Sequence, residues 1–177
     1  MNYKLSFKDY AKRFIAIAIT LGLMFGIFML VLALIDDPKT PATIEQVKTI
    51  IENSGFDPID STDIYNNAWH DQVGDIVTES VSFVHDDISF DYFIFNSDAS
   101  AEMARKKSQS YIRSNRYGTP NIEISECVSN YMIYTIDATS KGLYSVNIRV
   151  GNTLVFAYCN SENKSVIQKI LVEIDYL

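Results

Sequence analysis

The chain has 177 residues, of which 47% are hydrophobic, with 22 Asp and Glu against 15 Lys and Arg. This much apolar surface excludes a disordered acidic chain, and two Cys exclude a disulfide-dense scaffold. A formal charge of −7 argues against nucleic acid as a partner, and the length predicts one domain with an appended segment.

Residues 14–35 form an uncharged apolar run, and Thr20 is its only polar side chain. As a helix this run would be about 33 Å long, enough to cross a hydrocarbon core of about 30 Å. The alternative is a buried helix of a soluble domain, which needs apolar neighbours on every side; a remaining domain of about 140 residues could hardly supply them. We therefore predict a transmembrane helix at 14–35 that contacts membrane lipid.

The charges on the two sides of this run predict its orientation. The tail, residues 1–13, carries a net charge of +3 from Lys4, Lys8, Lys12, Arg13 and Asp9. An excess of Lys and Arg keeps a flank cytoplasmic, so residues 36–177, with a net charge of −10, should lie outside the cell membrane. The run is longer than the apolar core of a signal peptide, about 7–15 residues, which favours an uncleaved anchor. The alternative is cleavage near Val31-x-Ala33 and a secreted protein.

A stripe of small residues lies within the predicted span. Ala18, Gly22 and Gly26 fall four residues apart on one helix face. Such a stripe lets two membrane helices approach closely, which predicts self-association into a homodimer. The alternative is chance, because Gly is common in membrane helices.

A short linker, residues 36–41, precedes the predicted domain, residues 42–177. Thr43 and Gln46 match a capping box that opens a helix, and Gly55 suits the left-handed position after it. Residues 57–72 show no clean period and are predicted to be a loop or a frayed turn. A strand then reaches Asp86-Asp87, a hairpin turn, and Ile88–Phe95 forms a second strand covered on both sides.

The second half of the domain is predicted to contain a helix, three strands and a final helix. The first helix starts at Ser97 or Asp98 and runs to about Ser114. The strands are 122–136, with an irregularity near 129–130, then 143–150 and 153–159, the last two joined by a Gly151-Asn152 turn. Asn160-Ser161 is predicted to cap the last helix.

These elements follow the order α-β-β-α-β-β-β-α. We therefore expect an α+β domain of two layers, in which the helices lie on one face of a mostly antiparallel sheet.

The layout resembles uncharacterised small membrane-anchored or lipoprotein-like exported proteins of Gram-positive bacteria. The similarity lies in the N-terminal anchor, a short helix ending in Gly55-Phe56-Asp57, and a Phe-rich strand leading into a Ser/Asp-capped helix. A hairpin and a helix close the chain in both. The resemblance brings no catalytic motif and implies no activity.

Candidate chemical groups in the domain are few. The predicted hairpins place Cys127 about 25 Å from Cys159, which excludes a disulfide. Ser161 and Lys164 match Ser-x-x-Lys, but the partner motifs of acyl-transfer enzymes are absent and Ser161 has a role as a helix cap.

Metal and cofactor sites are not expected either. The two histidines, His70 and His85, do not form a zinc-binding pattern. Asp57, Asp60 and Asp63 lack the Gly turn of a calcium loop. The sequence therefore predicts no catalytic residue, no metal site and no cofactor.

Two groups of residues are candidates for partner binding. Tyr65 and Trp69 lie in the predicted loop, and loops often carry recognition surfaces; the alternative is that they plug the core. A basic cluster on the middle helix comprises Arg105, Lys106, Lys107 and Arg113, and its alternative role is a solvated helix face. We expect a single-pass extracytoplasmic module that binds a protein or an envelope component; the alternatives are an envelope enzyme and a cleaved, secreted protein.

Overall fold

The computed structural model describes residues 17–27, 38–73, 76–115, 122–128, 130–138 and 142–177. Within these ranges it describes the backbone but not the side chains of residues 68–73, 114–115, 122–128 and 138. The chain divides into two units at Asp37–Pro38.

In the first unit, residues 17–27 are α-helical and are called α1. Their large apolar side chains are each more than half exposed: Ile17, Ile19, Leu21, Leu23, Met24, Phe25 and Ile27. A Cβ added at Gly22 or Gly26 would meet no atom within 4 Å. Pairing of two helices through Ala18, Gly22 and Gly26 stays a prediction.

No helix in the described ranges is both long enough and apolar enough to span a bilayer. The parts of the predicted span at 14–16 and 28–35 lie outside the described residues, as does the tail 1–13.

The second unit is built on an antiparallel sheet that, within the described residues, has seven strands. They are β1 Ile59–Asp60, β2 Val77–His85, β3 Ile88–Phe95, β4 Ile122–Val128, β5 Tyr131–Ala138, β6 Leu143–Val150 and β7 Thr153–Asn160. The spatial order is β1-β2-β3-β7-β6-β5-β4. After β3 the chain therefore crosses to the far edge and returns as a meander, so that β7 pairs with β3.

Four helices accompany the sheet. They are α2 Ile44–Asn53, α3 Thr62–Val73, α4 Asp98–Asn115 and α5 Lys164–Glu173, the last preceded by a 3-10 turn at Ser161–Asn163. The α+β class is confirmed.

The helices cover both faces of the sheet. On one face, α2 and α5 pack over Val81, Phe90, Val146 and other buried apolar residues. On the other face, Ala101 and Ala104 of α4 pack over Phe93, Phe95 and Leu154. The domain therefore has three layers, and the prediction of two layers with the helices on one face is wrong.

The composition of β3 explains why helices cover both faces of the sheet. Phe90 and Tyr92 face one side, Phe93 and Phe95 face the other, and all four are at most 3% exposed. A strand that is apolar on both faces needs cover on both.

The predicted loop at 57–72 is also wrong, because this segment contains β1 and α3. Polar contacts anchor α3 to β2. The Asn66 side chain donates to the Val77 carbonyl at 2.8 Å and accepts from the Val77 amide at 3.1 Å. The Ser80 amide donates to Thr62 Oγ1 at 2.9 Å. The apolar residues of 57–72 show no clean helical period, which is why the sequence did not reveal this helix.

The predicted strand 122–136 is two strands, β4 and β5. Val128 pairs with Tyr131, so the two strands form a hairpin in the region where a single irregular strand was expected. The observed order is therefore α-β-α-β-β-α-β-β-β-β-α. Both strands are rich in β-branched and aromatic residues, so the sequence on the two sides of the hairpin has the composition of one continuous strand.

Several local predictions are confirmed. Thr43 and Gln46 form the capping box, with the Thr43 amide 2.8 Å from Gln46 Oε1. Gly55 has φ +87°, and the turns at Asp86-Asp87 and Gly151-Asn152 join antiparallel neighbours. The side-chain cap at Asn160-Ser161 is wrong, because neither the 3-10 turn nor α5 has a side-chain cap hydrogen bond.

Candidate functional site

A cavity of about 480 Å³ lies between α4 and the sheet. Its aromatic walls are Tyr65, Phe93, Tyr111, Phe156 and Tyr158, and its polar groups are Ser89, Asp91, Lys107 and Ser108. A volume of roughly 300–1,000 Å³ with apolar walls and few polar groups is typical of a small-molecule site.

The strand register and the helix period explain this cavity. Asp91 of β3 lies opposite Phe156 of β7, so the two side chains share one face of the sheet. On α4, the small residues Ala104 and Ser108 lie one turn apart and leave space above that face. Lys107 lies three residues after Ala104 on α4 and is exposed, so it lies toward the solvent side of the cavity.

Asp91 is the buried charged group of the cavity, at 7% exposure. Tyr65 Oη donates a hydrogen bond of 2.6 Å to Asp91 Oδ1. Burial raises the pKa of the Asp91 carboxyl, while hydrogen bonds from Tyr65 and Ser82 act in the opposite direction. Burial, and then the charge of Asp91, raises the pKa of Tyr65 as well.

Three serine hydroxyls form a hydrogen-bonded cluster next to Asp91. Ser61 Oγ lies 2.8 Å from Ser80 Oγ and 2.7 Å from Ser82 Oγ, and Ser82 pairs with Asp91 across β2 and β3. Because each hydroxyl can donate or accept, the cluster can adapt to either charge state of the carboxyl.

The position of α4 over the sheet is fixed by polar contacts. Asn147 Nδ2 donates to the Ser108 hydroxyl at 2.6 Å and to the Arg105 carbonyl at 3.2 Å. Glu102 accepts from Arg105 Nε at 2.8 Å and lies 3.2 Å from Arg149 Nε. The hydrogen bond from Arg105, and then the positive charges of Arg105, Arg149 and Lys106, hold the pKa of Glu102 below its usual value. The cavity is therefore walled by a helix held in place before any ligand enters.

The structure brings together only part of the residues predicted for partner binding. Tyr65 and Lys107 line the same cavity. Arg105 is 4% exposed and bonded to Glu102, so its guanidinium is not part of an exposed surface. Lys106 Nζ lies 3.5 Å from Glu102 Oε1, within ion-pair distance.

The other two predicted residues are Arg113 and Trp69. Arg113 donates from Nε to Tyr134 Oη at 3.1 Å. Trp69 lies on α3, and its side chain is outside the described residues.

Asp91 was missed by sequence reasoning. A signal was present, because Asp91 is a lone acid inside a strand whose neighbours Phe90, Tyr92 and Phe93 indicate cover on both faces. An acid at such a position is buried on either face, and a buried carboxylate needs partners.

The Ser-x-x-Lys pattern does not form a reactive pair. Lys164 Nζ donates to Asp137 Oδ2 at 2.7 Å and lies 5.1 Å from the Tyr144 ring centroid. His85 packs edge-on against Phe56, with ring centroids 5.4 Å apart, and does not line the cavity.

The two cysteines are far apart along the sheet. Cys159 is a buried free thiol. Cys159 pairs with Tyr144, Tyr144 pairs with Asp137, and Asp137 pairs with Ile122. Cys127 lies five residues beyond Ile122 on β4. Three strand spacings and five residues give about 22 Å between the two backbones. A disulfide requires Cα atoms within about 7 Å.

No family model matches the chain, and no curated protein matches it. Among solved structures, the chain is similar to a GTP binding regulator from Thermotoga maritima. The two share 12% sequence identity and a TM-score of 0.44, over 80% of this chain and 94% of that chain. A likeness of this degree carries no argument about function.

Proposed function

We propose that this protein is a single-pass, membrane-anchored binding module with its N-terminal tail in the cytoplasm and its α+β domain outside the membrane. The uncharged run at 14–35 and the basic tail support the anchor and its orientation. The helix at 17–27, with its apolar side chains exposed, is compatible with a lipid environment.

The observation that carries the binding role is the cavity under α4. Its walls are mainly aromatic and aliphatic, one buried acid lies within it, and the contacts of Asn147 and Glu102 hold its helix in place. Sites that bind ligands are typically preformed and apolar with a few placed polar groups. The ligand is an envelope component or part of a partner protein.

Cysteine labelling in protoplasts tests the topology. Lys169→Cys and Asn2→Cys are placed singly in a cysteine-free background, since the Lys169 side chain is 65% exposed. We expect an impermeant maleimide to label Lys169→Cys in intact protoplasts and Asn2→Cys only after lysis. Protection of Lys169→Cys would contradict the orientation, and release of a shortened chain into the medium would identify a cleaved, secreted protein.

Photo-crosslinking in native membranes tests the cavity as the contact site. Met103 lines the cavity and is 37% exposed, so a benzophenone side chain there is tolerated. Val172 on α5, at 60% exposure, is the matched control on the opposite face. We expect capture of a defined component from position 103 only. Equal capture from both positions, or none, counts against a binding role for the cavity.

An envelope enzyme is the second candidate, favoured by the Asp91 carboxyl with its raised pKa inside a cavity. In that case Asp91 would act as an acid or a base. Chemical conversion of a bound ligand by the unmodified protein, abolished in Asp91→Asn, would favour the enzyme. Recovery of the ligand unchanged favours the binding module.

A further inference from the structure

We propose that the cavity under α4 binds an organic ammonium ion with an apolar or aromatic body, and that the cationic nitrogen is directed to Asp91. This ligand class rests on the binding role proposed above and specifies its chemistry.

The first argument is the charge of Asp91. Its hydrogen-bond donors are neutral hydroxyls, those of Tyr65 and Ser82. Within the parts of the chain that the structure describes, no Lys or Arg forms an ion pair with Asp91. A buried carboxylate is stable only when it is paired or well hydrogen-bonded, so a cationic ligand would supply the missing counter-charge.

The second argument is the aromatic wall. The rings of Tyr65 and Phe93 meet edge to face with centroids 4.6 Å apart, and those of Phe156 and Tyr158 lie 5.8 Å apart. Phe156 is directly opposite Asp91 in the sheet. Aromatic faces attract ammonium groups within about 6 Å, and they also pack against an apolar body. One ligand type satisfies both features.

The positive charge of Lys107 does not reverse the preference of the cavity for a cationic ligand. It lines the cavity but is exposed, so water and salt screen its charge. Asp91 is 7% exposed, and its charge acts through a medium of lower dielectric constant. Residues 36–177, the linker and the domain together, also carry a net charge of −10, which attracts cations.

Ammonium binding by this route depends on pH. The titratable groups around the cavity are Asp91 on β3, Tyr65 on α3, Tyr158 on β7, and Lys107 and Tyr111 on α4. Asp91 is the carboxyl among these groups, and a carboxyl is the type of side chain that titrates in the acid range. Protonation of Asp91 removes the charge that attracts the ligand. Ammonium affinity should therefore fall up to tenfold per pH unit below the pKa of Asp91.

The experiment uses the full chain in nanodiscs of zwitterionic lipid. Two probes of similar shape, 2-phenylethylamine and the neutral 2-phenylethanol, are titrated by ligand-observed NMR at pH 7.5. Asp91→Asn keeps an oxygen for Tyr65 while removing the charge. Glu45→Gln is the control, because it makes the same charge change at a side chain that is 80% exposed on α2.

We expect the amine to bind at least tenfold more tightly than the alcohol to the unmodified protein and to Glu45→Gln. Asp91→Asn should abolish this preference while the near-UV circular dichroism stays unchanged. If Asp91→Asn does not fold, the pH series on the unmodified protein replaces it, with falling amine affinity expected in acid.

Equal affinity for amine and alcohol, or amine affinity that is unchanged in Asp91→Asn and at low pH, would overturn the proposal. Equal binding of both probes would still leave the cavity as a binding site, so the binding module would survive. Failure of the binding module is detected separately by crosslinking from position 103.

Discussion

Asp91 is expected to reduce the stability of the domain at neutral pH, so Asp91→Asn should be more stable than the unmodified protein. The carboxyl is 7% exposed, and burial raises its pKa above the ordinary value of 3.8. The folded domain therefore holds the Asp91 proton more tightly than the unfolded chain does. An Asn at this position can still accept the hydrogen bond from Tyr65 but carries no charge.

The sign of the pH dependence follows from this difference in proton binding. Between pH 3.8 and the folded-state pKa of Asp91, the folded state binds more protons than the unfolded state. The free energy of unfolding must then fall as the pH rises, by up to about 1.4 kcal/mol per pH unit for one proton. Asn does not titrate, so the advantage of Asp91→Asn should grow through this window and level off above it.

Urea unfolding of the full chain in detergent micelles, followed by near-UV circular dichroism, measures this effect. The two proteins are compared from pH 4 to pH 8, since titration of distant groups cancels in the difference. Near pH 4 they should have similar stability, and at pH 8 Asp91→Asn should unfold at higher urea. A difference that does not change with pH, or a less stable Asp91→Asn at pH 8, would refute the reasoning.

Three further outcomes are expected. Leu171→Ala, at a fully buried position of α5, should lower the free energy of unfolding by about 2–5 kcal/mol, whereas Val172→Ala at the exposed neighbour should change it by less than about 0.5 kcal/mol. Thr43→Ala removes one half of the capping box and should cost about 1 kcal/mol by the same urea assay. Burial raises the pKa of the Cys159 thiol to about 12, so iodoacetamide at pH 8 should modify it only after unfolding. Rapid modification of Cys159 in the folded protein, seen by mass spectrometry, would contradict its burial.

Local features of the fold could be predicted because their causes are local in the chain. The Thr43–Gln46 capping box joins residues three apart, and Gly55 ends the same helix with a positive φ. The turn at Gly151-Asn152 joins β6 to β7, as predicted. In each case the residues that cause the structure are the residues that adopt it.

The helix α3 could not be predicted from its own residues. Its anchors are Asn66 and Thr62, which bond to backbone groups of β2 that lie 11 to 18 positions away in the chain. Nothing within 57–72 shows that these partners exist. The division of 122–136 into two strands could not be predicted for a similar reason, because it depends on which strands pair in the sheet.

The candidate site was predicted only in part. Tyr65 was identified as a recognition residue, and Lys107 as part of a basic cluster, but the cavity they share also depends on Asp91 and Phe156. Asp91 and Phe156 are 65 positions apart in the chain and meet because β7 returns to pair with β3. Arg105 belonged to the same cluster in sequence but is buried against Glu102, since the helix faces decide which basic residues reach water.

The sequence by itself therefore determined the α+β class, the separation of an apolar N-terminal run from an acidic domain, and some local ends, such as the capping box at Thr43 and the turns at Gly55 and Gly151. These depend on composition and on contacts between near neighbours. Only the tertiary structure decided that helices cover both faces of the sheet and that a buried carboxyl lies in an aromatic cavity. Those features arise from the pairing of β3 with β7 and the packing of α4 above them, which join residues that are distant in the chain.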